Sequence, residues 1–100
     1  MEKERLEVIK NYIYENIKIL EDRKAKKEDK KIARMLIEEE IECLKKYFKQ
    51  IKETANNDEI QSFKTELKEV ENMLLSYIIK LARTNKFDGE IYKIYANLFI

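Results

Sequence analysis

The chain has 100 residues, with 21 Lys and Arg against 20 Asp and Glu for a net charge of +1. That length suits one modest hydrophobic core rather than two, so a single domain over residues 1–100 is expected. With no Pro, one Gly and 44% hydrophobic residues, the chain falls outside the disordered class, and its balanced charge excludes a global field that draws in nucleic acid or membrane.

Helix breakers are missing, which makes long helices the default. In the first segment Leu6, Ile9, Ile13, Ile17 and Leu20 recur at helical spacing and predict a helix from about Lys3 to Leu20. Tyr12, Asn16 and Ile19 widen its stripe, and a face that broad calls for two neighbouring helices. The next stretch, Glu21 to Lys31, is crowded with charge and has no apolar stripe. It reads either as a connection or as an exposed helical extension of a neighbour, with Asp22 and Lys26 spaced for an i,i+4 pair.

A second helix carries Ala33, Ile37, Ile41, Leu44, Phe48 and Ile51, with Leu36 and Tyr47 on its flank. Lys45, Lys46, Lys49 and Lys52 gather toward its C-terminus, where cations suit the helix dipole. It should stop near Ala55, because Asn56, Asn57 and Asp58 offer turn chemistry and N-cap oxygens; Asn56 with Glu59, or Asp58 with Gln61, has capping-box spacing. The third helix runs through Ile60, Phe63, Leu67, Val70, Leu74, Tyr77 and Leu81. Its second half, Met73 to Ala82, is apolar on nearly every side and is expected to lie centrally or beneath a partner. After an interruption at Thr84 to Phe87, Asp88 caps a short last helix with Ile91, Ile94, Tyr95, Leu98 and Phe99.

The predicted fold is therefore all-α, an up-and-down bundle of three long helices plus a short C-terminal helix. Heptad-like spacing in two of the helices also permits a coiled-coil dimer, and the broad apolar faces predict a homo- or hetero-oligomer. The start MEKERLEVIK lacks the apolar centre of a signal peptide, and Met73 to Ala82 is too short to span a bilayer, so a cytoplasmic protein away from membranes is expected. The single cysteine, Cys43, fits a reducing compartment and a half-buried apolar role.

Catalytic chemistry finds little to work with. There is no His, one Cys, Ser62 and Ser76 as the serines, and no glycine-rich phosphate loop. Glu38, Glu39, Glu40 and Glu42 are adjacent in sequence but point in different directions around a helix, so they read as a solvated face. No catalytic, cofactor or metal residues are assigned, and the chain is expected not to be an enzyme. The stretch Glu4 to Lys24 loosely resembles the first helix of the small helical chorismate mutases. Arg23 matches the closing arginine of that pattern, but Lys10 falls where the leading arginine belongs and Tyr12 and Glu15 replace the aspartates, so the resemblance is set aside.

Two binding surfaces remain. Tyr92, Tyr95, Leu98 and Phe99 form an apolar and aromatic ridge on the last helix, of the residue types that anchor protein interfaces. Lys45, Lys46, Lys49 and Lys52, interleaved with Tyr47 and Phe48, supply the alternative, a phosphate-binding strip for nucleic acid; a second basic cluster, Arg23 to Lys31, is broken up by acidic residues. A protein partner is the leading expectation, with nucleic-acid binding weak and electrostatic.

In the third helix and beyond, Glu71, Leu74, Leu75, Ile78, Ile79, Arg83 and Lys86, followed by Asp88, Glu90, Ile91 and Tyr92, form a pattern that resembles the helical domain of archaeal GINS subunits, accessory factors of the replicative helicase. The resemblance covers about thirty residues. It implies a non-catalytic accessory subunit in a DNA replication assembly.

Overall fold

A computed structural model describes residues 3–100; Met1 and Glu2, part of the charged start, lie outside the described residues. Four α-helices follow one another: α1 (Lys3–Glu21), α2 (Lys27–Thr54), α3 (Asn57–Ala82) and α4 (Gly89–Phe99). No strand occurs among the described residues, so the fold is all-α. The 28 residues of α2 rise about 42 Å. That single helix accounts for the 44 Å long axis of the molecule.

The predicted apolar stripes become the core. Leu6, Ile9, Ile13, Ile17 and Leu20 of α1 are all buried, and they meet Ala33, Ile37, Ile41, Leu44 and Ile51 of α2. Phe63, Leu67, Val70, Leu74 and Tyr77 of α3 and Ile91, Ile94 and Tyr95 of α4 complete one contiguous cluster. Full burial of side chains such as Ile13, Ile41, Leu74 and Ile91 stabilises the fold by roughly 1.5–3 kcal/mol each before entropic costs. As its broad stripe requires, α1 packs on two helices, α2 and α3; α4 packs on the same two, and among the described residues the backbones of α1 and α4 do not come together.

The charged stretch after α1 resolves into a five-residue connection and a helical extension of α2. Asp22 turns the chain by accepting the Lys24 backbone N–H at 2.9 Å, so its carboxylate serves the turn instead of an i,i+4 pair with Lys26. From Lys27 onward the chain is helical, and the first turn carries Glu28 and Asp29 where negative charge suits the dipole. At the other end α2 stops at Thr54, and Asn56 caps α3 by accepting the Glu59 N–H at 2.9 Å. Of the two predicted capping pairs, this is the one used.

Three expectations need correction. Of the three residues expected to widen the buried face of α1, Asn16 is buried, its amide donating to the Tyr12 carbonyl at 2.8 Å, whereas Tyr12 and Ile19 are exposed. The second half of α3 does not lie centrally within the chain, because Ser76, Ile79, Lys80 and Ala82 face outward. Only Leu74 and Tyr77 in that stretch are fully in the core, since α1, α2 and α4 cover one side of α3 and leave the other open. Phe48 is half-buried at the edge of the core, stacked on Phe63 at 5.6 Å between centroids.

Candidate functional site: the cleft between α2 and α4

The last helix is aimed by one carboxylate. Asp88 sits just before α4 with 9% of its surface exposed. Its Oδ1 accepts the Ile91 N–H at 3.1 Å as an N-cap, and its Oδ2 accepts from the Tyr77 hydroxyl at 2.8 Å and from Arg34 Nε at 2.9 Å. One side chain thus joins α2, α3 and α4. Burial, assisted by the Asp88 hydrogen bond and charge, pushes the Tyr77 phenol far above its ordinary range. Burial works against the Arg34 charge, yet Asp88 outweighs it and leaves the guanidinium more basic than usual.

Farther along, α4 is tied to α2 through Asn97. Its amide Nδ2 donates to Glu42 Oε1, and its Oδ1 accepts from Lys45 Nζ at 2.8 Å. Between these helices lies a cleft of about 450 Å³ lined by Glu42, Lys45, Lys46, Phe48, Lys49, Lys52, Asn97 and Leu98. Phe48 and Leu98 supply its apolar floor. The four lysines are exposed, and Lys52 lies over the Phe48 ring with its ammonium 4.3 Å from the centroid. Against them stands the one carboxylate of Glu42, already engaged by Asn97.

The structure therefore brings together two sets of residues that the sequence kept apart. All four lysines of the basic strip and Leu98 of the aromatic ridge border the same cleft. The ridge itself divides. Tyr95 is a core residue, with burial and then the Glu71 charge raising its phenol pKa, whereas Tyr92 is 41% exposed and Phe99 is half-buried against the core. Their rings still form a row, Phe87 to Tyr92 at 5.6 Å, Tyr92 to Tyr95 at 6.2 Å and Tyr95 to Phe99 at 5.3 Å, but the row winds from surface to interior and back.

Sequence reasoning missed Asn97 and took Glu42 for part of a plain solvated face. Neither carries a periodic signal, since their roles depend on how α4 lies across α2. Within the acidic run, burial and then the Glu39 charge raise the Glu40 carboxyl pKa. Among the described residues no group of three or more acidic or cysteine side chains is arranged to hold a metal ion. No helix among them is long and apolar enough to cross a membrane. No protein-family model, curated protein or solved structure matches the chain.

Proposed function

We propose that this chain is a non-catalytic interaction module whose α2–α4 cleft takes up an acidic segment of a protein partner. The observation that carries this reading is the pairing of an apolar floor, Phe48 and Leu98, with a rim of four exposed lysines. Apolar contact supplies affinity, and the cationic rim selects a segment rich in carboxylates and speeds its encounter. The buried polar side chains Lys10, Asn16 and Asp88 all have hydrogen-bond partners within the protein, which gives them a structural role.

The test is a fluorescence-anisotropy titration with a labelled peptide of alternating Glu and Leu residues. Wild-type protein is expected to bind it, and the double variant Lys45→Glu, Lys49→Glu to lose binding while keeping its helical circular dichroism. Equal binding by both proteins, or none by either, overturns the reading. The alternative, a nucleic-acid accessory protein using Lys45, Lys46, Lys49 and Lys52, draws on the same exposed lysines. It predicts that a single-stranded oligonucleotide outcompetes the peptide and that its affinity collapses steeply with salt.

The setting we propose is a cytoplasmic DNA replication assembly, with this chain as accessory subunit. Its support is the resemblance of the sequence pattern from Glu71 to Tyr92 to the helical domain of archaeal GINS subunits. We take the long helices to run alternately up and down. Lys10 of α1 meets Glu66 and Glu69 of α3, and Glu21 meets Lys80, which suits parallel α1 and α3; Phe48 against Phe63 and Arg34 near Tyr77 suit an antiparallel α2. Oligomer formation is part of the same proposal. Val8, Tyr12 and Ile19 form one exposed stripe on α1, and Ile32 is exposed on α2. Analytical ultracentrifugation at high micromolar concentration tests self-association, and a strictly monomeric mass leaves only a different partner.

A further inference from the structure

The stretch around the α1–α2 connection and the end of α3 forms a second concave surface, far along α2 from the lysine cleft. A groove of about 720 Å³ is lined by Leu20, Glu21, Arg23, Lys30, Tyr77, Lys80, Leu81, Thr84 and Lys86. Its four cations come from four segments: Arg23 from the α1–α2 connection, Lys30 from α2, Lys80 from α3, and Lys86 from the α3–α4 connection. Only one carboxylate, Glu21, lines the same groove, and it is engaged with Lys80 at 3.1 Å. Among the described residues Arg23, Lys30 and Lys86 have no ion-pair partner.

In a chain whose net charge is +1, this one groove gathers a surplus of three positive charges. Like charges held around one concavity repel each other unless an anion enters. The α2 helix starts at Lys27, between the lining residues Arg23 and Lys30, and its N-cap residue Lys26 gives its first N–H groups no side-chain acceptor, while Glu28 and Asp29 of its first turn stand outside the groove lining.

We propose that this groove binds a phosphate-bearing ligand with two or more negative charges. A lone carboxylate neutralises one of the three surplus charges, whereas linked phosphates deliver several within a few ångströms. The guanidinium of Arg23 offers two parallel donors to such oxygens, and Lys30 and Lys86 act as point charges on either side. Leu20 and Leu81 floor the groove. The source of the phosphates is a free polyphosphate compound or the backbone of a single nucleic-acid strand.

The experiment uses the full chain, tripolyphosphate as one probe and a twelve-nucleotide oligothymidylate as the other, titrated calorimetrically at low salt. Wild-type protein is expected to bind tripolyphosphate, with affinity falling linearly in log salt. The variant Arg23→Gln, Lys86→Gln, both exposed positions, is expected to weaken binding at least about tenfold and, for the oligothymidylate, to lower the salt slope by about 1.4. The lysine-cleft variant Lys45→Glu, Lys49→Glu retains tripolyphosphate binding, which separates this site from the proposed protein-binding cleft. Loss confined to the oligonucleotide assigns the site to a strand backbone, and loss for both assigns it to phosphate in general. Absence of binding by wild-type protein to either probe, or equal affinity of wild type and the Arg23→Gln, Lys86→Gln variant for both, overturns the proposal.

Discussion

The phenol of Tyr77, on the last turns of α3, donates a 2.8 Å hydrogen bond to the same Asp88 oxygen that receives Arg34 Nε from α2. Because Asp88 also caps α4, the direction of the last helix is set by a polar contact buried among three helices. The lysine cleft depends on that direction, since Leu98 and Asn97 reach it from the far end of α4.

Replacing Asp88 should therefore cost more than an ordinary cap. Asp88→Ala removes the cap, worth about 1 kcal/mol, and leaves Arg34 and Tyr77 without their acceptor, for a total of about 3 kcal/mol. Asp88→Asn keeps a capping oxygen and is expected to lose about half as much. Urea midpoints at neutral pH measure both, and equal stabilities of the two variants contradict the division of roles.

Alkaline pH should weaken the fold chiefly through Tyr77 and Lys10, with the raised Tyr95 phenol acting in the same direction. Burial, then Asp88, lifts the Tyr77 phenol far above its ordinary 10.0, so the folded protein holds a proton that the unfolded chain releases. At Lys10 burial opposes the charge, but the hydrogen bonds its ammonium donates to Glu66, Glu69 and Glu7 prevail and raise its pKa well above 10.5. Both contributions are complete below those ordinary values and are lost as pH climbs from about 10 toward the higher folded pKa values. The urea midpoint is expected to fall over that range, and Tyr77→Phe to flatten the onset of the fall.

Lys10 anchors α1 to α3 from a position only 7% exposed, bonded to Glu66, to Glu69 at 2.6 Å and to Glu7 at 2.7 Å. Its removal leaves three carboxylates facing one another. Two of these are half exposed, so the cost of Lys10→Ala is nearer 2 kcal/mol than the larger figure for a fully buried pair. Added salt should recover part of that loss by screening the repulsion, and a penalty indifferent to salt contradicts this account.

Truncation after Phe87 removes Ile91, Ile94 and Tyr95 from the core. The buried face of this segment makes it part of the core. The fragment is expected to lose its cooperative thermal melt, and a shortened chain that melts as sharply and at the same temperature contradicts the packing described.

Gly89 is the first residue of α4, and its φ is not positive. A Cβ there meets only the Phe87 ring at 3.7 Å, an ordinary contact. Gly89→Ala should stabilise the protein by about 0.4–1 kcal/mol through a less flexible unfolded chain, read as a rise in melting temperature.

The apolar stripes were legible in the sequence because burial on one face of a helix leaves a 3.6-residue period, and every residue of the α1 stripe from Leu6 to Leu20 is buried. Asn56 and Asp88 were legible as caps, since capping is a local relation. The start of α2 was not, because the helix begins within a uniformly charged run with no capping side chain at Lys26. The lysine strip was visible, but its apolar floor was not. That floor exists only because α4 folds back along α2, a relation between residues about fifty positions apart. The bonds of Asp88 to Tyr77 and Arg34 escaped as well, because they exist only once α2, α3 and α4 are packed together.

Among the described residues the backbones of α1 and α4 stay apart, which bears on how disturbances travel in this molecule. Each outer helix rests on the α2–α3 pair, so a change in one reaches the other only through that pair. Double-mutant cycles between Ile13 and Ile94 should return coupling energies near zero. In native-state hydrogen exchange the amides of α4 should open as a unit of their own, protected to a lesser degree than those of α2 and α3. A ligand seated on α4 would then slow exchange there while leaving the exchange of α1 as it was.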